Sequence, residues 1–118
     1  MRRDEQFLAD IVAACDWIAS RVAALDFDSF FGDEELSHSV LYKLITIGEA
    51  CARLSPDLRS QYAEIPWADI VSFRNIVVHN YFGVDWAEVW TTASQEVSPL
   101  RNQIAAVLVS EFPQGPLE

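Results

Sequence analysis

Apolar residues recur along this chain at helical spacing. Phe7, Leu8, Ile11, Val12, Cys15, Ile18, Val22 and Leu25 share one stripe, which predicts a first helix from Asp4 to Leu25. Asp26 to Gly32 breaks the period. Asp33 then supplies an N-cap, with Glu34 and Glu35 in the first turn, where the helix dipole favours anions. The second stripe runs through Leu36, Val40, Leu41, Leu44, Ile45, Gly48, Cys51 and Ala52. A glycine inside a helix costs about 1 kcal/mol relative to alanine. Gly48 therefore predicts a close helix crossing, with Glu49 beside it. Ser55-Pro56 ends this helix, and Pro66 suits the first turn of a third helix running from Pro66 or Trp67 to about Asn80. Phe82-Gly83-Val84 makes a turn. Asp85 followed three residues later by Glu88 is a capping-box signal for a fourth helix, whose stripe extends from Trp86 through Val89, Trp90, Ala93, Val97, Leu100 and Ile104 to Leu108. Pro99 lacks a backbone donor and predicts a kink there.

Four amphipathic helices with short links predict an all-α, antiparallel four-helix bundle with a kinked last helix. Its 118 residues suffice for one core, so residues 1–112 form a single expected domain and 113–118 a frayed tail. Composition agrees, since 51% of residues are hydrophobic and glycines number only 4. A formal charge of −10 argues against broad, non-specific binding to nucleic acid or an anionic membrane, so an anionic substrate must meet a local basic patch. Cys15 and Cys51 both fall on apolar stripes and read as buried structural thiols of a reducing compartment. Asp10 and Asp16 interrupt the apolar residues near the start, which therefore cannot act as a signal-peptide core. No uncharged run reaches membrane-spanning length. The expected location is the cytoplasm, and neither a metal-ligand set nor a cofactor motif is visible.

One stretch concentrates chemistry: Arg74-Asn75-Ile76-Val77-Val78-His79-Asn80-Tyr81. Five residues of helix turn Arg74 and His79 about 140° apart, so they do not share a stripe, whereas Arg74 and Tyr81 would lie within about 20° if the helix ran that far. Arg74 is long enough to reach round to a histidine at the helix end. There, unsatisfied carbonyls favour positive charge and suit His79 to proton transfer. A lone Arg and His near a helix end are more often surface residues or an ion pair. Tyr81 makes the combination less ordinary, and Asn75 and Asn80 add hydrogen-bonding groups in one place. Trp67, Phe82, Trp86 and Trp90 flank the stretch and read equally as core or as interface.

The sequence resembles the HepT-like branch of the HEPN domain, small helical toxins paired with the minimal nucleotidyltransferase antitoxin MntA. The likeness covers nearly the whole chain: Ile47-Gly48-Glu49-Ala50, Ile65-Pro66-Trp67, Phe73-Arg74-Asn75, His79 through Asp85, Trp90 and Pro99-Leu100. The family signature is Arg, four residues, His, one residue, Tyr. Arg74, His79 and Tyr81 match it, while Ser72-Phe73 stands where members often carry Gly-Met. The resemblance implies a toxin that is a metal-independent endoribonuclease acting on tRNA or mRNA. It implies catalytic roles for Arg74 and His79, support from Asn75 and Asn80, and adenylylation of Tyr81 by an MntA-like antitoxin that silences the enzyme. It also implies a homodimer that assembles a composite cleft. Lys43 and Arg53 are candidate RNA-binding residues if the fold brings them near Arg74. The alternative is a non-catalytic partner or substrate-presenting subunit of a nucleotidyltransferase, which the acidic charge mildly favours and in which Tyr81 is only a modification site.

Overall fold

The computed structural model describes residues 3–114, and every regular element among them is helical. In order these are α1 (Asp4–Val22), α2 (Phe27–Gly32), α3 (Glu34–Arg53), α4 (Pro56–Gln61), α5 (Trp67–His79), a 3-10 turn (Tyr81–Gly83), α6 (Trp86–Thr91), a π turn (Thr92–Glu96) and α7 (Val97–Glu111). The all-α bundle is as expected. Its long members are α1, α3, α5 and the continuous segment from α6 to α7. α1 packs against both α3 and α7, while α5 packs against α3. The core is one contiguous cluster, centred on Leu8, Ile11, Ile18, Val40, Leu41 and Ile104. Each such side chain contributes about 1.5–3 kcal/mol on leaving water. Cys15 and Cys51 are free and buried among them, and burial pushes both thiols up to about 12, out of reach of ordinary thiolate chemistry. No described helix is long and apolar enough to cross a membrane.

Two short helices occupy segments that periodicity alone reads as breaks. The Asp26 side chain accepts from Ser29 N–H at 2.8 Å and caps α2, a bond that also holds its carboxyl below the usual range. α2 turns Phe30 fully into the core, against Trp90 at 5.1 Å between ring centroids. Ser55 and Pro56 end α3 as expected and also start α4: the serine hydroxyl accepts from Leu58 N–H at 3.3 Å, and the proline takes the first helical position. Asp4 ties this junction to α1 by accepting from Ser55 N–H at 3.0 Å and from its hydroxyl at 2.7 Å. Helices this short lack a repeating stripe, so their caps are the only local signal.

The expected irregularity at Pro99 lies just upstream, as the π turn over 92–96. In an α-helix the Pro99 ring would clash with the carbonyl of Gln95, four residues earlier. The wider π turn opens the backbone at that carbonyl, and α7 restarts at Val97. α7 ends at Glu111. Pro113 and Gln114 follow it, and the rest of the expected frayed tail lies outside the described residues.

The crossing predicted at Gly48 is present between α3 and α5. A Cβ at Gly48 would lie 2.4 Å from the Arg74 Cβ, 2.9 Å from its Cγ and 3.4 Å from the Ile70 carbonyl oxygen. The backbones could not approach this closely with any larger residue. Gly48→Ala should therefore destabilise the protein by about 1–3 kcal/mol through overpacking, despite alanine's better helix propensity. Urea unfolding of the two proteins checks this, and a variant as stable as the parent is the contrary outcome.

Candidate active site

α5 begins at Trp67, whose ring is buried and whose Nε1–H donates to the carbonyls of Arg59 at 3.1 Å and Tyr62 at 3.0 Å. That anchor and the Gly48 crossing fix where the rest of α5 points. The Arg74 stem lies against Gly48, and its Nη1–H donates to Glu49 Oε1. The Arg74 side chain is 19% exposed and that of Glu49 43%. Arg74 Nε is covered without an acceptor. Arg74 is thus part of the helix crossing through its aliphatic stem, which spacing along α5 does not reveal. Its other donors remain for an anion arriving from solvent.

Glu49 also meets Arg53, Nε to Oε2 at 3.9 Å, so Arg53 and Arg74 converge through a shared carboxylate. Lys43 does not join them. Its ammonium lies 5.3 Å from the centroid of the Trp17 ring on α1, on another face of α3. Of the two candidate RNA-binding residues, the structure thus brings only Arg53 towards Arg74.

His79 is the last residue of α5 and is exposed, with no hydrogen-bond partner among the described residues. Asn75, one turn earlier, is exposed on the same face. Asn80 closes α5 by donating its N–H to the Ile76 carbonyl at 3.0 Å, and its own carbonyl accepts from Gly83 N–H at 3.0 Å. A Cβ at Gly83 would meet the Asn80 amide at 2.4 Å, so the glycine lets the 3-10 turn fold over that side chain. The helix does not run on to Tyr81, and the alignment of Tyr81 with Arg74 on one stripe therefore does not arise. The turn carries Tyr81 instead to α3, where its ring lies 6.1 Å from that of His38.

His38 is the site neighbour that sequence reasoning missed. Its Nδ1 lies 2.8 Å from the Glu34 carbonyl oxygen, which can only accept, so Nδ1 carries the proton and Nε2 is the free nitrogen. The ring also lies 5.1 Å from Trp86. Nothing local marks it, since 41 positions separate it from His79; its one signal is that the chain has only 2 histidines. Of the flanking aromatics, left open between core and interface by the sequence, three prove to be core. Trp67, Trp86 and Trp90 pack on the core, while Phe82 is fully exposed beside Tyr81. Among the described residues, no group of three or more His, Cys, Asp or Glu side chains is arranged to hold a metal ion.

Residues 11–107 match the family model described as "Ribonuclease HepT-like". The chain belongs to the HepT-like ribonuclease family. It is 30% identical over 94% of its length to "Putative RNase TTE0752" of Caldanaerobacter subterraneus subsp. tengcongensis, covering 99% of that protein. It is 31% identical over 91% of its length to "Putative RNase MJ0125" of Methanocaldococcus jannaschii, covering 93%. "Probable ribonuclease HepT" of Thermococcus cleftensis is 29% identical over 86% of the chain and 93% of its own length. No solved structure gives a significant match. In this HepT-like chain the matched region contains the whole Arg74 to Tyr81 stretch and the α3 residues packed against it.

Proposed function

We propose that this HepT-like chain is the toxin of a toxin-antitoxin pair, an endoribonuclease that cuts tRNA or mRNA with Arg74 and His79 and is silenced by adenylylation of Tyr81. The observation that supports it most is the pairing of an exposed, unpartnered His79 with an Arg74 whose stem is immobilised on the same short helix. RNA carries its own nucleophile. His79 accepts the 2′-hydroxyl proton as that oxygen attacks the adjacent phosphorus, the bond to the 5′-oxygen breaks, and the leaving oxygen takes a proton from water. A 2′,3′-cyclic phosphate and a 5′-hydroxyl result, and His79 gives its proton back to solvent. Arg74 offers a planar, permanently charged fork to the phosphate oxygens as their charge grows. Asn75 and Asn80 hold the ends of that arrangement. The reaction as written calls on no metal ion.

His79→Ala and Arg74→Ala should each abolish cleavage and toxicity while the wild-type protein keeps cutting RNA in EDTA. Both variants should stay folded. Arg74→Ala retains the Cβ at the Gly48 crossing but removes the packed stem beyond it, so it should cost about 1–3 kcal/mol and still leave a folded protein. Gel assays of RNA cleavage with circular dichroism of each variant decide this, and wild-type cutting by His79→Ala would sink the assignment.

A single helix end cannot surround a phosphate, so the site is proposed to be completed by a two-fold homodimer that brings two α5 segments together. Exposed apolar side chains support this, with Ile76 at 64%, Val78 at 53% and Phe82 fully exposed on the same stretch. Sedimentation at micromolar concentration should report a dimer. A strict monomer is the opposing result.

Control is proposed to act through Tyr81, exposed in the 3-10 turn two residues after His79. A nucleotidyltransferase antitoxin transfers AMP from ATP to the phenol oxygen and releases pyrophosphate. The new phosphodiester then competes with RNA phosphate for Arg74. Tyr81→Phe should keep cutting RNA and resist neutralisation, and intact-mass spectra of the co-expressed wild-type chain should gain one AMP. Unmodified Tyr81 in a fully neutralised sample would mean that the partner acts by binding alone.

The second reading, a non-catalytic subunit of a nucleotidyltransferase, draws on the Arg74–Glu49 ion pair, which occupies the cation that catalysis needs. Expression of the chain alone separates the two. Growth arrest relieved by the neighbouring nucleotidyltransferase supports the toxin, and harmless expression supports the subunit.

A further inference from the structure

Most cations of this acidic chain are already engaged. Among the described residues Arg3 pairs with Glu5, Arg53 and Arg74 with Glu49, and Arg101 with Asp16, while Arg21 and Lys43 lie over Trp17. Arg59 has neither a carboxylate nor an aromatic ring as partner among the described residues, and its Nε is covered without an acceptor. Only Nε of this guanidinium is covered, and its outer nitrogens are left to meet a ligand.

Arg59 lines an open cleft of about 710 Å³ between α4 and α5, together with Ser60, Trp67, Asp69, Ser72 and Asn75. The bond from Trp67 to the Arg59 carbonyl fixes the arginine's backbone against the start of α5. Ser72, Asn75 and His79 follow one another at three and four residues, which keeps them on one stripe of α5. The polar floor of the cleft therefore leads along the helix to His79. Along the axis His79 lies about 6 Å from Asn75 at the near edge of the cleft and about 18 Å from Trp67, which fixes Arg59, a span of a few nucleotide steps.

We propose that this cleft is a second phosphate subsite, in which Arg59, assisted by Asn75 and the two serines, holds a backbone phosphodiester of single-stranded RNA a few nucleotides from the bond cut at His79. The inference rests on the ribonuclease reading and adds Arg59 to it as a phosphate-binding residue. Free cations are scarce here, so one well-placed arginine contributes a large share of the attraction to a polyanion. Asp69 in the lining opposes the charge of Arg59 and keeps the hold weak enough for turnover.

The test uses the full-length His79→Ala protein as parent and a 5′-fluorescein single-stranded oligoribonucleotide of mixed sequence, with binding read by anisotropy from low to high salt. Adding Arg59→Ala should raise Kd about tenfold or more and reduce the slope of log Kd against log salt by about 0.7. Arg59→Lys should recover the slope and only part of the affinity, because it keeps the charge and loses the fork. Asp69→Asn should tighten binding. Near-ultraviolet dichroism of the aromatic side chains reports folding, and Arg59→Gln replaces Arg59→Ala if the latter unfolds. Parental Kd and slope in the Arg59 variants, with the parent binding RNA, would overturn the subsite and leave the ribonuclease reading standing. A wild-type chain that neither binds nor cuts RNA would overturn both.

Discussion

The contact of Gly48 with Arg74 governs this structure. α5 buries Trp67 and Val77 and packs Ile70, Val71 and Phe73 partly against the core, a broad apolar face that leaves room in its rotation. Its azimuth is set by a steric fact: the one position on α3 without a Cβ receives the Arg74 stem. Once the stem is seated, Glu49 on the next position of α3 meets the guanidinium, and Asn75 and His79 are turned towards solvent. A packing interaction thereby orients the polar side chains of the motif.

Around that helix, charge is arranged economically. The chain has 8 Lys and Arg against 18 Asp and Glu, and most described cations satisfy a neighbour within the fold. Such a surface repels polyanions at long range, and attraction must come from a few cations at close quarters. Under the proposed function this restricts RNA to the face of α5. There, on the same proposal, Arg74 would hold the reacting phosphate and Arg59 one further along the strand. A dimer would double that set without adding positive charge elsewhere.

The 3-10 turn after α5 has its own logic. Asn80 ends the helix, Gly83 admits the Asn80 side chain, and Tyr81 is delivered to the His38 ring rather than onto the α5 axis. Tyr81 remains exposed, beside a fully exposed Phe82. A phenol in that position is open to a modifying enzyme, and any group added to it lies next to the end of α5 that carries His79.

Periodicity determined the long elements because each buries a continuous stripe, and a 3.6-residue repeat survives in sequence whatever it packs against. Asp33 and Asp85 were legible as caps for the same reason, since a cap acts within its own turn. The glycine in α3 announced a crossing, because its cost to the helix needs a compensating contact. The family signature likewise placed Arg74, His79 and Tyr81 within one local stretch. Only the tertiary structure decided what depends on distant partners. α2 and α4 are too short to carry a repeat, and Pro99 acts one turn upstream through the carbonyl that its ring would strike. Arg74 became part of a helix crossing, Arg53 joined it through Glu49, and Lys43 turned to Trp17. His38 reached Tyr81 across 43 positions, and the anchor at Trp67 set Arg59 in the cleft that Asn75 also lines. Helical spacing specifies which residues share a face; which faces meet is set by the packing of the whole core.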